Sequence, residues 1–215
     1  TPQRTLCGNV TPDWFGGVNN AVSYKDFNFS FLVDFRKGGV QYSVTDWFGN
    51  YAGVMEVTAA TNANGKNVRD PVADGGGVLV DGVYGTVKSD GTPQFTDADG
   101  NNVATPVKNT DYVEGIVFYE WDYWGKPGLS VFDAGFVKLR EVILGYTFHD
   151  ISALQKAGIS SINFSLVGRN LWLIHSNMPH VDPENAISAG NTSLGMNTTP
   201  IPSARTFGFN LKFTF

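Results

Sequence analysis

The sequence holds one cysteine, three histidines and no long apolar run, and each shortage removes a class of protein. A lone Cys7 cannot form a disulfide within the chain, and no Cys/His cluster at metal-ligand spacing surrounds it. His149, His175 and His180 stand in no HExxH-like arrangement and no GxSxG nucleophile motif occurs, so the sequence offers no catalytic centre, metal site or cofactor site. No stretch approaches the roughly 18 to 20 consecutive apolar residues of a membrane-crossing helix. Charged residues make up only 16% of the 215, with a formal net charge of -5, so there is no basic footprint for nucleic acid. Thr1 to Thr5 show none of the features of a secretory signal, which leaves a cytosolic chain or one whose front end is missing.

What is abundant points to β-structure. Aromatic residues reach 13% and glycines number 25, in a chain of slightly negative mean hydropathy, -0.12. From Phe207 to Phe215 every odd position (Phe207, Phe209, Leu211, Phe213, Phe215) is large and apolar, and every even one is small or polar. That period of two gives a strand with one greasy face and one hydrophilic face. An outer-membrane barrel supplies a direct cause, because one face of its wall meets lipid and the other a polar lumen. Phe27, Phe29, Phe31, Val33 and Phe35 repeat the pattern against Asn28, Ser30, Asp34 and Arg36, with Leu32 the exception. Val18, Asn20, Val22 and Tyr24 precede them, and Lys25-Asp26 reads as a tight hairpin turn.

Five strands are expected, at about 14–24, 27–36, 135–148, 161–173 and 205–215. In the third, Lys138 and Arg140 share parity with Val142, Leu144, Tyr146 and Phe148; one face cannot be both lumenal and lipidic, so a β-bulge near Arg140-Glu141 is expected. Short links alternate with long ones, 37–134 and 174–203, as periplasmic turns alternate with extracellular loops in such barrels. The long insert is punctuated by turn signals, and small hairpins with ordered loop are expected there.

Four motifs then resemble the SusC/RagA-like TonB-dependent outer-membrane transporters. Gly8-Asn9-Val10-Thr11-Pro12-Asp13-Trp14 with Ser23-Tyr24-Lys25-Asp26-Phe27 is similar to their "GNPxPDW … SYKxF" signature, and Phe136 to Phe148 to "YVKLRxxxLGYT". Val167-Gly168-Arg169-Asn170-Leu171-Trp172 with Asp182-Pro183-Glu184 resembles "xGRNLW … DPE", and Arg205 to Phe215 resembles the closing strand. The resemblance implies an all-β fold, the C-terminal strands of an integral outer-membrane barrel of about 22 strands. It also implies a periplasm-side plug, energy from the TonB complex, a SusD-like lipoprotein lid, and import of oligosaccharide or peptide. The plug and most barrel strands are absent from these 215 residues, and five strands cannot close a barrel, so the chain reads as a fragment or half of a split protein.

Among candidate residues, Asp34, Arg36, Lys138 and Arg140 are expected on the lumenal face, Lys138 and Arg140 either lining it or bridging to plug carboxylates. The odd residues from Phe207 to Phe215 are expected to be the membrane-insertion signal. Tyr119, Trp121, Asp122, Tyr123 and Trp124 combine stacking rings with carboxylates, the means by which proteins grip sugars and peptides, and they serve equally well as an anchor for the long loop or a lid. Trp172 and Tyr146 read as interfacial girdle residues. Asp97-Ala98-Asp99-Gly100-Asn101 is similar to the start of a calcium loop but lacks the closing Glu, and a polar hairpin turn is the favoured reading. The rivals to an active importer are a soluble β-sandwich binding module or surface adhesin, and a passive porin.

Overall fold

The computed structural model describes residues 6–184, 195–201 and 203–215. The chain divides into two compact units, Asp46–Leu129 and the remainder. The larger unit is built on a five-stranded antiparallel meander: β1 (Trp14–Tyr24), β2 (Phe27–Lys37), β3 (Phe136–His149), β4 (Ser161–Ser176) and β5 (Thr206–Thr214), hydrogen-bonded in chain order. Each of the five expected spans carries a strand; β4 runs three residues further than expected because Leu173 to Ser176 continue the ladder against Phe136 to Lys138. Of the expected loop 174–203, residues 185–194 and 202 lie outside the described residues, as do Thr1 to Thr5.

The two-residue turn at Lys25-Asp26 joins β1 to β2, and Lys25 takes φ 53°, the left-handed region that a tight hairpin demands. Asp150 to Ser160, with one helical turn at Ser152–Gln155, joins β3 to β4 at the same end of the sheet. The two long connections leave from the other end, beside the Lys37 and Phe136 ends of β2 and β3.

The ladder registers assign every side chain to a face. One face carries Phe27, Phe29, Phe31, Val33 and Phe35 of β2, opposite Tyr146, Leu144, Val142, Leu139 and Val137 of β3. Ile162, Phe164 and Leu166 continue it on β4, then Phe213, Leu211, Phe209 and Phe207 on β5. Edge-on rings tie neighbours together, with Phe27 and Tyr146 at 4.6 Å and Tyr146 and Phe148 at 4.8 Å between centroids. The reverse face holds Asn28, Ser30, Leu32, Asp34 and Arg36 against Gly145, Ile143, Glu141, Lys138 and Phe136.

Burial is inverted relative to a soluble sheet. The apolar face is open, with Phe207 78%, Phe209 69%, Leu211 47% and Phe213 47% exposed, whereas on the polar face Lys138 is 3% and Ser165 6% exposed. A water-soluble sandwich would bury the phenylalanines against a second sheet and leave the polar face wet.

Two sequence features acquire causes. Arg140 is the extra residue of the bulge: pairing with β2 steps from Leu32↔Glu141 to Val33↔Leu139, and pairing with β4 steps from Arg169↔Glu141 to Trp172↔Leu139. The step switches parity, so Lys138 shares the polar face with Glu141 while Val142, Leu144 and Tyr146 stay on the apolar one. Gly145 is a close approach. Asn163 Nδ2 on β4 donates across it to Asn28 Oδ1 on β2 at 3.2 Å, and a Cβ on Gly145 would stand 2.4 Å from that oxygen.

Beside the meander, Val40–Ser43 pairs antiparallel with Val131–Asp133 and parallel with Met196–Asn197 in a small second sheet. In the insert unit, Val78–Leu79 pairs with Tyr112–Val113, and Gly85–Val87 with Pro93–Phe95. The Asp97 to Asn101 segment is the hairpin turn favoured over a calcium loop: the Asn101 side-chain amide donates to Asp97 Oδ2 at 3.1 Å and the Asn101 backbone N–H to Asp97 Oδ1 at 2.8 Å, beneath a Thr96↔Asn102 bridge. These two hydrogen bonds, the side-chain one first, hold the Asp97 carboxyl below its ordinary value. The insert also contains helix, which the turn signals did not suggest: α1 (Val44–Tyr51) enters it, and a short turn at Gly115–Val117 widens into a π-helix at Phe118–Tyr123.

Candidate functional site

Three of the four residues expected on the lumenal face converge at the long-connection end of the polar face. Lys138 points from β3 into two carboxylates of the segment after β4, with Nζ 2.6 Å from Asp182 Oδ2 and 3.0 Å from Glu184 Oε2. Arg140, set free of the ladder by the bulge, donates Nε to Asp34 Oδ2 on β2 at 2.7 Å, Nη1 to Asn170 Oδ1 at 3.2 Å and Nη2 to Glu184 Oε1 at 2.5 Å. Asn170 occupies the left-handed region, φ 50°, which an Asn tolerates better than most residues. Ser203 donates to Asp182. Arg36 lines the same recess as Asp34, Arg140 and Glu184 but bonds outside their network, with Nη2 donating to Val10 O at 3.2 Å.

The electrostatics are those of a closed network. Burial of Asp182 works to raise its pKa, but hydrogen bonds from Lys138 and Ser203 outweigh this and hold it below the usual value; Glu184 is held low the same way by Arg140 and Lys138. A buried ammonium flanked by two carboxylates is satisfied where a lone one would not be. The network clamps the Asp182–Glu184 segment to the wall strands.

Sequence reasoning singled out the two cations for the lumenal face and met Asp182 and Glu184 as part of a family motif, with no role assigned to them. The signal available was the coincidence of two motifs: the "VKLR" cations and the "DPE" acids occur in the same family pattern, and here they are ion-pair partners.

The aromatic residues expected either to grip cargo or to anchor the loop or a lid all lie on or just after the π-helix of the insert unit, and most are engaged in packing. Tyr119 is buried with its hydroxyl donated to Val57 O at 3.0 Å, and burial pushes its pKa up against the pull of Arg69. Tyr123 donates to Asp46 Oδ2 at 2.6 Å. Trp124 stacks on Trp47 with centroids 3.8 Å apart and planes at 11°, and its carbonyl accepts Trp47 Nε1. Asp122 is half-buried, and Trp121, at 73% exposure, presents its ring outward. The odd residues Phe207, Phe209, Leu211 and Phe213 form one ridge on the apolar face, and Phe215 beyond the strand is exposed.

A meander with an outward greasy face, a polar face and long connections at one end is all-β and of the transmembrane-barrel kind. Comparison gives that class particular relatives. The chain is 24% identical over 220 residues to TonB-dependent receptor P26 of Formosa agariphila, covering 100% of this chain and 18% of the receptor. Its fold matches the RagAB peptide transporter with a TM-score of 0.52 at 15% identity, and the RagAB peptide importer in its open-open state with 0.54 at 16%, in each case over 100% of this chain and 19% of the other. No protein-family model matches. The chain thus spans about a fifth of the relatives it resembles, and the resemblance read from the four motifs holds in both sequence and fold.

Proposed function

We propose that these strands form part of the wall of an outer-membrane barrel that imports oligosaccharide or peptide by TonB-coupled, gated passage without covalent chemistry. The observation that carries this reading is the inverted burial of the meander, phenylalanines open and lysine enclosed, which suits a wall between lipid and a polar lumen. On this reading the short links are periplasmic, the 37–134 insert and the loop after β4 are extracellular, and Asp34, Arg36, Lys138 and Arg140 face the lumen. The similarity to a TonB-dependent receptor and to a peptide importer supports transport as the activity. The remainder of the barrel, a plug reached by TonB and a SusD-like lipoprotein lid are the partners it calls for.

Uptake of labelled oligosaccharides and peptides by cells carrying the full-length protein tests this reading, with and without a working TonB. Accumulation that survives loss of TonB would place the protein among passive porins. Trp121→Ala is the informative variant, because Trp124 is a packing anchor and Trp121 is not. Reduced uptake with the lipoprotein still co-purifying supports cargo contact at Trp121; loss of the lipoprotein supports lid docking; no change in either removes Trp121 from the mechanism.

The ridge of Phe207, Phe209, Leu211, Phe213 and Phe215 is proposed as the signal read during barrel insertion. Phe213→Asp, or removal of Phe215, is expected to leave the full-length protein unassembled, seen as loss of the heat-modifiable band in outer-membrane fractions. Normal outer-membrane levels of both variants would exclude that role.

A further inference from the structure

The insert unit contains a cavity of about 310 Å³, within the range of small-molecule sites, whose walls carry charges of both signs that form no ion pair among the described residues. Arg69 is held rigidly: Nε donates to Thr58 O at 2.6 Å, and Nη2 donates to Thr58 Oγ1 at 2.9 Å and to Gly53 O. These bonds occupy every hydrogen on Nε and Nη2. The two on Nη1 have no acceptor, and Arg69 has no ion-pair partner, among the described residues. A guanidinium fixed in this way loses little rotamer freedom when it meets an anion.

Glu120, on the π-helix, lines the same cavity and has no hydrogen bond or ion pair among the described residues. Asn50 lines it as well. It is 2% exposed, its Nδ2 donates to Asp46 O at 2.9 Å, and its Oδ1 is buried without a donor, a deficit that a bound N–H would remove. Tyr51, Ile116 and the ring of Tyr119 supply the apolar wall.

We propose that this cavity binds a small zwitterion of the free amino-acid or short-peptide class, with Arg69 Nη1 taking its carboxylate and Glu120 its ammonium group. A simple anion would meet Glu114 and Glu120, a simple cation would meet Arg69, and a neutral sugar would leave both charges uncompensated. Only a ligand carrying both charges satisfies the two ends together.

Calorimetric titration of the purified full-length protein in detergent with the dipeptide alanyl-leucine tests the site. Because neither membrane nor TonB takes part, the result is independent of the import reading. Binding is expected with the free dipeptide, and neither with its N-acetylated, C-amidated form nor with a uronic-acid disaccharide. Arg69→Gln and Glu120→Gln should each weaken it at least about tenfold, a loss of about 1.4 kcal/mol. Where Arg69→Gln disturbs the Gly53 and Thr58 carbonyls it holds, Glu120→Gln still decides, because that carboxylate makes no bond to lose among the described residues. Absence of dipeptide binding, equal binding of the blocked dipeptide or the disaccharide, or undiminished binding by Glu120→Gln overturns the proposal.

Discussion

Replacing Asp182 by Asn and Glu184 by Gln together is expected to destabilise the folded wall by about 3–5 kcal/mol, the cost of leaving a buried ammonium without its counter-charges. Among the described residues Lys138 has no carboxylate partner besides these two, and its side chain is only 4% exposed. A triple variant that also carries Lys138→Met should recover most of the loss, since removing a whole buried ion cluster is close to neutral whereas breaking it is not. Thermal unfolding of the three proteins, followed by loss of β-sheet circular dichroism, measures the effect. A triple variant as unstable as the double one would mean that packing of the segment, and not charge, is what the acids provide.

The same network sets a pH dependence. Both carboxyls are held below their ordinary values of 3.8 and 4.5, so the folded state binds protons less readily than the unfolded one. Their contribution is therefore fully present above those values and is lost as pH falls through the lowered values of the folded state. The stability gap between the parent and the double variant should be constant from pH 7 to about pH 5 and should narrow on further acidification. A gap that widens with acid would contradict the lowered state of these groups.

How much of this was legible in the sequence follows from the range of the interactions. The strands could be read because a period of two is local: each residue's face depends only on its neighbours. The bulge at Arg140 could be read because the parity of Lys138 conflicts with that of Val142 and Leu144, a contradiction that only an extra residue resolves. The ion cluster was not read, because Lys138 and Glu184 lie 46 positions apart and only their places in one family pattern, not any local spacing, link them. The insert was least legible. Its Phe118 to Trp124 run has the composition of a binding loop, and only the stacking of Trp124 on Trp47, 77 positions away in sequence, shows that part of it is an anchor. Arg69 and Asn50 gave no signal at all, since an unpartnered group is defined by the packing around it.

Ser30 and Phe31 are adjacent on β2, yet opposite responses to the same substitution are expected. The register sets Ser30 against Ile143 on the polar face and Phe31 against Val142 on the apolar one. A lysine at position 30 can extend its ammonium into water or toward acids of the polar face, so Ser30→Lys should change stability by under about 0.5 kcal/mol, as surface substitutions do. A lysine at position 31 would put its charge among Phe29, Phe31's own apolar neighbours on β3, and lipid. That costs about 2–4 kcal/mol near the bilayer midplane and less toward the interfaces. Phe31 lies five positions from Asp26 of the turn and six from Lys37, near the middle of its strand, where the penalty is greatest. Guanidinium titration of the full-length barrel in lipid vesicles measures both variants against the parent. A soluble sheet with a partner layer on its phenylalanine face would also reject Phe31→Lys, so the control is the same pair in detergent-free buffer: the barrel wall requires that the parent itself be insoluble there. Equal tolerance of lysine at the two positions would reverse the assignment of faces and with it the proposal that this sheet separates lipid from a lumen.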